Sequence, residues 1–267
     1  MRVEARGLVF DVEVKGPADG PAVLLLHGFP QTSHCWRNVD LPGFRTIAPD
    51  QRGYSAGARP LEVEAYRVPE LVADALAVLD SLGVQRAHVV GHDWGAGVAW
   101  QLGAKHADRV ETLTILSVPH PQAFRAALQS DEEQRTKSAY MRDFAQPGYD
   151  QVLLADDAAA LRAVFGGLPS VDVEHVITRA REPGALAAWL RWYAGQRRED
   201  VQDTAAVDVP TLYVWSDLDL ALGRTAAFAT EEWVTGRYRF EVLEGVSHWI
   251  PEEAADRLSS LLLEHLR

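Results

Sequence analysis

Asp93 sits at the centre of Gly91-His92-Asp93-Trp94-Gly95, between an apolar run ending in Val90 and a helical pattern that continues to His106. A strand turning sharply into a helix lifts one side chain clear of the backbone as a nucleophile, and glycines two positions either side relieve the crowding of so tight a turn. Serine is the usual occupant of such an elbow; here it is aspartate. A carboxylate with an ordinary pKa near ~4 is already ionised at neutral pH and attacks without a base. That favours displacement at an sp³ carbon carrying a leaving group, with an ester on Asp93 as the product. Water must then release the ester, a step that calls for a histidine to activate the water and N–H donors to hold the oxyanion. Standing alone, the pentapeptide is equally a structural turn, because aspartate is common in turns. The strand before it, the helix after it and the partners that follow decide for an elbow.

One partner precedes Asp93. The run AVLLL ends in His27-Gly28-Phe29-Pro30, and the backbone N–H groups of Phe29 and Trp94 are the expected oxyanion donors. Two more come later in the order nucleophile, acid, histidine. A strand pattern from Arg239 to Ser247 leads into His248-Trp249, which singles out His248 among nine histidines. After TLYVW the segment Ser216-Asp217-Leu218-Asp219 offers two acids; Asp219 lies past the strand end and is the expected partner of His248, with Asp217 the alternative. The end of the preceding strand carries Ser117 and no acid. Phe29, Trp94, Phe144, Trp192 and Trp249 suggest an apolar, aromatic-lined pocket. No metal or organic cofactor is expected: the histidines lack HExxH spacing, and Gly91 to Gly97 is accounted for by the elbow rather than by a dinucleotide fingerprint.

The elements that must position these residues follow from periodicity. AVLLL, RTIAP, AHVVG, TLTILSVP and TLYVW read as buried strands, with helical patterns over Val68 to Leu82 and Gly95 to His106 between them. Alternating strand and helix implies a mostly parallel central sheet with helices on both faces, and Val3 to Lys15 reads as an antiparallel hairpin at one edge. From about Pro121 to Gln202 strand patterns cease and helical stretches are broken at Pro147-Gly148, Gly166-Gly167 and Pro183-Gly184. The expected organisation is an α/β core domain from 1–119 and 203–267 with a helical cap from 120–202.

With these residues in hand, the sequence resembles the epoxide hydrolases of the α/β-hydrolase superfamily, in the aspartate-nucleophile branch shared with the haloalkane dehalogenases. HGFP, Ala48-Pro49-Asp50-Gln51-Arg52-Gly53-Tyr54, GHDWG, SVPHP and SHW carry the resemblance over nearly the whole chain. It implies the α/β-hydrolase fold and two cap tyrosines over the nucleophile: Tyr140, shortly before Gln146-Pro147-Gly148, and Tyr193 in Arg191-Trp192-Tyr193. They would protonate the alkoxide of an opening epoxide. The sequence departs from the family in Gly95-Ala96-Gly97, where many relatives have a double glycine, and in QRGYSAG. A halide leaving group needs no proton but needs N–H donors; Trp94 offers one, position 29 none from its side chain, and Trp189 and Trp192 keep that reading open. A non-catalytic ligand-binding homologue is the third reading.

Bulk properties set outer bounds. The chain has 267 residues, 47% hydrophobic and 24% charged, enough for a substantial core. A net charge of −12 disfavours nucleic acid or an anionic membrane as partner. The expected partners are a small apolar epoxide and water, for a monomer or homodimer. Cys35 is the single cysteine, and the N-terminus has charges at Arg2, Glu4 and Arg6 with no apolar targeting run, so a cytoplasmic protein is expected.

Overall fold

A computed structural model describes all 267 residues. Apolar runs punctuated by Gly, Pro and Asp form eight strands: β1 (Arg2–Ala5), β2 (Leu8–Lys15), β3 (Ala22–Leu26), β4 (Arg45–Pro49), β5 (Ala87–His92), β6 (Val110–Leu116), β7 (Thr211–Leu218) and β8 (Tyr238–Ser247). They make one sheet in the order β1-β2-β4-β3-β5-β6-β7-β8. Arg6 and Gly7, both at positive φ, close β1 and β2 into an antiparallel hairpin at the edge, as the sequence pattern predicts. β2 also runs antiparallel to β4, and every pairing from β4 to β8 is parallel. Parallel neighbours require long crossovers, and these are the helical segments.

The central strands are apolar on both sides because both faces are covered. Leu24 and Leu26 of β3 enter the larger core, whereas Val23 and Leu25 enter the smaller one on the opposite face. The larger core receives α1 (Val68–Ser81) and α2 (Trp94–Lys105), and α1 gives way to Gly83 at φ +71, the helix stop read from the sequence.

Between β6 and β7 the chain is helical: α3 (Pro121–Ser130), α4 (Glu132–Lys137), α5 (Tyr140–Phe144), α6 (Tyr149–Val164), α7 (Ser170–Ala180), α8 (Ala185–Ala194) and α9 (Arg198–Val201). Gly148 and Gly184 take left-handed conformations as the residues preceding α6 and α8. The helical stretch SDEEQRTKSAYMRDF is divided: Ser130 closes α3, and the rest forms α4 and α5. α6 is interrupted at Ala155 to Ala158, where the sequence carries no Gly or Pro to announce it. α8 docks this insertion: Trp189 stacks on Tyr54 at 4.7 Å, and Trp192 Nε1 donates to Arg52 O at 2.8 Å. Arg52 in turn forms a buried two-pronged ion pair with Asp74 of α1.

α10 (Arg224–Ala229), α11 (Ile250–Glu253) and α12 (Ala255–His265) complete the chain, and Leu258, Leu261 and Leu262 of α12 fill the smaller core. No helix is long and apolar enough to cross a membrane.

Candidate active site

β5 delivers Asp93 at φ 51, ψ −120, and α2 starts at the next residue. The carbonyl of Asp93 accepts from Ala96 and Gly97, so the turn passes into helix with no intervening residue. A Cβ at Gly91 would fall 2.4 Å from Gly95 O, and one at Gly95 would fall 2.1 Å from Leu26 O. Both elbow glycines are therefore required by close backbone approach. Gly28 is required for a different reason, since its Cβ would meet that of Asp93 at 2.2 Å. The missing side chain lets the HGFP turn close on Asp93, and Phe29 N–H donates to Asp93 Oδ1 at 2.7 Å. The turn is braced by Gln51, whose N–H donates to His27 Nε2 and whose side-chain amide donates to His27 O. Trp94 opens α2, and its N–H makes no hydrogen bond to the Asp93 carboxylate.

His248 follows β8 and reaches both carboxylates. Its Nδ1 donates to Asp219 Oδ2 at 2.8 Å, and its Nε2 lies 3.5 Å from Asp93 Oδ2. Asp219 is held by the N–H groups of Ala221 and Leu222 on Oδ1. Asp217 points away and accepts instead from Gly245 N–H on the exposed side of the strand. Burial alone would push His248 down, but the charge and hydrogen bond of Asp219, joined by those of Asp93, raise it from 6.5 to about 10. Burial pushes Asp93 up, and the His248 hydrogen bond and charge together with Phe29 N–H outweigh it, holding the carboxyl below its ordinary value. The two carboxylates thus favour the imidazolium form of His248 between them.

Asp93 opens onto a cavity of about 450 Å³ whose surface is mainly apolar. Tyr140 of α5 and Tyr193 of α8 share its wall with Asp93 and Trp94. The two tyrosine rings are 6.1 Å apart, and the Tyr193 ring lies 5.0 Å from that of Trp94. Burial raises both hydroxyls well above their ordinary value, and the Asp93 charge adds to the effect, so both stay protonated. Of the five aromatic residues expected to line the pocket, only Trp94 does so. Phe29 and Phe144 pack behind Tyr193 at 5.3 and 5.1 Å, Trp192 is buried against Arg52, and Trp249 is wedged between Phe165 and an edge-on His248. Large rings here fill space under the site. The wall comes instead from Val118 and Pro119 after β6, Phe124 and Leu128 of α3, Met141 and Leu222. The four-residue spacing of Phe124 and Leu128 marks one helix face, but nothing local says what that face meets.

The sheet order, the elbow and the helices inserted after β6 define the class of fold. A profile described as alpha/beta hydrolase fold matches residues 21–255. Epoxide hydrolase A of Mycobacterium tuberculosis is 33% identical, with 99% of this chain and 96% of that protein covered. The AB hydrolase superfamily protein YfhM of Bacillus subtilis is 32% identical over the same shares. Among solved structures, an epoxide hydrolase from Bacillus megaterium superposes with a TM-score of 0.90 at 26% identity, covering 100% of this chain and 99% of the other. The chain therefore belongs to the alpha/beta hydrolase fold family, in its epoxide hydrolase branch, whose members are hydrolases acting on ether bonds.

Proposed function

We propose that the protein converts an epoxide to a vicinal diol through an ester on Asp93. The observation that carries this reading is the division of labour at one carboxylate. Oδ1 is held by Phe29 N–H, Oδ2 faces His248, and the cavity they open into carries two tyrosine hydroxyls. In the first step Oδ2 attacks a ring carbon, the ring C–O bond breaks, and the alkoxide takes a proton from Tyr140 or Tyr193. Esterification removes the charge of Asp93, one of the two that raise His248. The imidazolium then releases its proton, which returns to the tyrosinate left behind and restores its hydroxyl.

In the second step neutral His248, oriented by Asp219, takes a proton from water as the oxygen attacks the ester carbonyl carbon. The oxyanion forms on Oδ1, held by Phe29 N–H, with Trp94 N–H as the second donor. Collapse breaks the bond to the ester oxygen, the diol leaves with the proton from His248, and the remaining proton of the water restores the imidazolium.

Residues 120–202 act in this reading as a cap that supplies both tyrosines and half of the cavity wall. The mainly apolar cavity suits a small apolar epoxide and water. A dehalogenase needs a second N–H donor beside Trp94, yet Trp189 and Trp192 lie outside the cavity wall and the latter is already bonded to Arg52 O.

The test sets terminal and aryl epoxides beside short bromo- and chloroalkanes, measuring diol and free halide. Diol alone is expected. Tyr140→Phe and Tyr193→Phe should each slow ring opening by roughly 10-fold or more, and the double variant by about 10²–10⁴-fold, the range of a general acid. Halide release indifferent to both tyrosines would favour the dehalogenase reading; tight binding without turnover would favour a ligand-binding role.

A further inference from the structure

A second polar chain lies behind the site. His92, the residue before Asp93, places Nε2 at 2.9 Å from the backbone O of His248. Its Nδ1 lies 2.8 Å from Gln31 Oε1, and Gln31 Nε2 lies 2.6 and 2.7 Å from the two oxygens of Glu252. Gln31 is two residues beyond Phe29, and Glu252 is four beyond His248. The chain thus ties together the three segments that carry the oxyanion donor, the nucleophile and the histidine. His92 and Gln31 are fully buried.

Proton counting constrains this chain. The His248 carbonyl can only accept, so His92 Nε2 carries a hydrogen. With Gln31 Oε1 toward His92, Nδ1 must also carry one, which makes an imidazolium opposite an ionised Glu252. A half-turn of the Gln31 amide gives the other complete pattern: Gln31 donates to a neutral Nδ1, and a protonated Glu252 donates to Gln31 Oε1. The two patterns place one proton differently but contain the same number. Removing it leaves one link between the His248 carbonyl and Glu252 with two acceptors facing each other, whichever tautomer His92 takes and whichever way the Gln31 amide is turned. Burial favours the neutral form of both ends, lowering His92 to about 3 and raising Glu252 to about 8. Around Glu252 the charged neighbours are Arg37 and Asp172, which pair with each other and act on it in opposite directions; the Cys35 thiol is the other titratable group nearby.

We infer that Glu252, Gln31 and His92 position His248 for ester hydrolysis by sharing one proton, and that its loss at alkaline pH loosens the histidine. The inference rests on the epoxide reading for its kinetic consequence, though not for its proton. The relay acts on the second step, because ring opening needs Asp93 and the tyrosines but no base.

The test measures ring opening and ester hydrolysis separately in single turnovers between about pH 6 and pH 9.5, with thermal unfolding over the same range. Wild-type hydrolysis should fall as pH passes about 8 while ring opening does not follow it. Glu252→Ala should slow hydrolysis about 5–10-fold at neutral pH, the worth of one hydrogen bond, and leave ring opening within about twofold. Glu252→Gln can donate to Gln31 without titrating, so it should restore hydrolysis and abolish the alkaline fall. Ionising this enclosed acid destabilises the fold, so Glu252 contributes a drop in wild-type stability as pH rises from the ordinary carboxylate range through about 8, and Glu252→Gln should lose less over that window, keeping only the decline that His248 contributes above pH 6.5. An unchanged alkaline limb in Glu252→Gln, or equal effects of Glu252→Ala on both steps, overturns the relay in an enzyme that makes diol. Absence of diol refutes the epoxide reading instead; the stability profile still decides the shared proton, and an identical alkaline drop in Glu252→Gln overturns it.

Discussion

Asp93→Ala is expected to abolish diol formation, lowering turnover by at least about 10⁴-fold, as loss of a covalent nucleophile does elsewhere. The effect is large because nothing else in the cavity can replace a carboxylate facing the substrate. Tyr140 and Tyr193 are held in their neutral form by burial, and His248 points its free nitrogen at Asp93. The substitution also removes the acceptor of Phe29 N–H and leaves alanine at φ 51, so a stability loss of about 1–3 kcal/mol should accompany it. A second signature separates lost chemistry from lost fold. Without the Asp93 charge, His248 keeps only Asp219 as a counter-ion, and its pKa should fall from about 10. NMR titration of the His248 imidazole in a folded Asp93→Ala protein checks this directly.

His248→Gln should divide the two steps. Ring opening persists, ester hydrolysis slows by about 10²–10⁴-fold, and one equivalent of alkylated protein accumulates per chain, visible as an intact-mass increment equal to the epoxide. Ring opening itself should change in its pH dependence. The imidazolium is a main reason the buried Asp93 stays below its ordinary value, so its removal lets burial raise the carboxyl. The acid limb of alkylation should therefore move to higher pH. Stability has a matching sign. A histidine raised from 6.5 to about 10 stabilises the fold fully below pH 6.5, and that contribution is lost as pH rises through about 10. His248→Gln should lack this dependence.

Much of this arrangement is legible in the sequence because local chemistry forces it. Gly91, Gly95 and Gly28 are where a Cβ would strike backbone or the Asp93 side chain, so the elbow and the HGFP turn announce themselves. The choice between Asp217 and Asp219 also follows from local geometry: Asp217 is still within β7 and is taken up by Gly245 N–H on its exposed side, while Asp219 begins the loop whose N–H groups grip it. The cavity wall is less legible. Trp192, Phe144 and Trp249 are aromatic and close in the chain to site residues, yet each is spent on packing, and α3 supplies much of the wall instead. A helix stripe reveals that a face is apolar, not whether it meets a core or a cavity. The Glu252 chain is not legible in the sequence for a similar reason. Its three members lie on three separate segments, and only the fold brings Gln31 between a buried histidine and a half-buried acid.

The central claim is the ester on Asp93, and the most direct test is a single turnover in ¹⁸O-water with enzyme in excess of epoxide. Attack by Oδ2 followed by hydrolysis at the ester carbonyl sends the water oxygen into the carboxylate. The first-turnover diol should then be unlabelled, and the peptide containing Asp93 should carry one heavy oxygen. A labelled diol with an unlabelled Asp93 peptide would mean that water attacks the epoxide directly and that Asp93 serves as a base, contradicting the account.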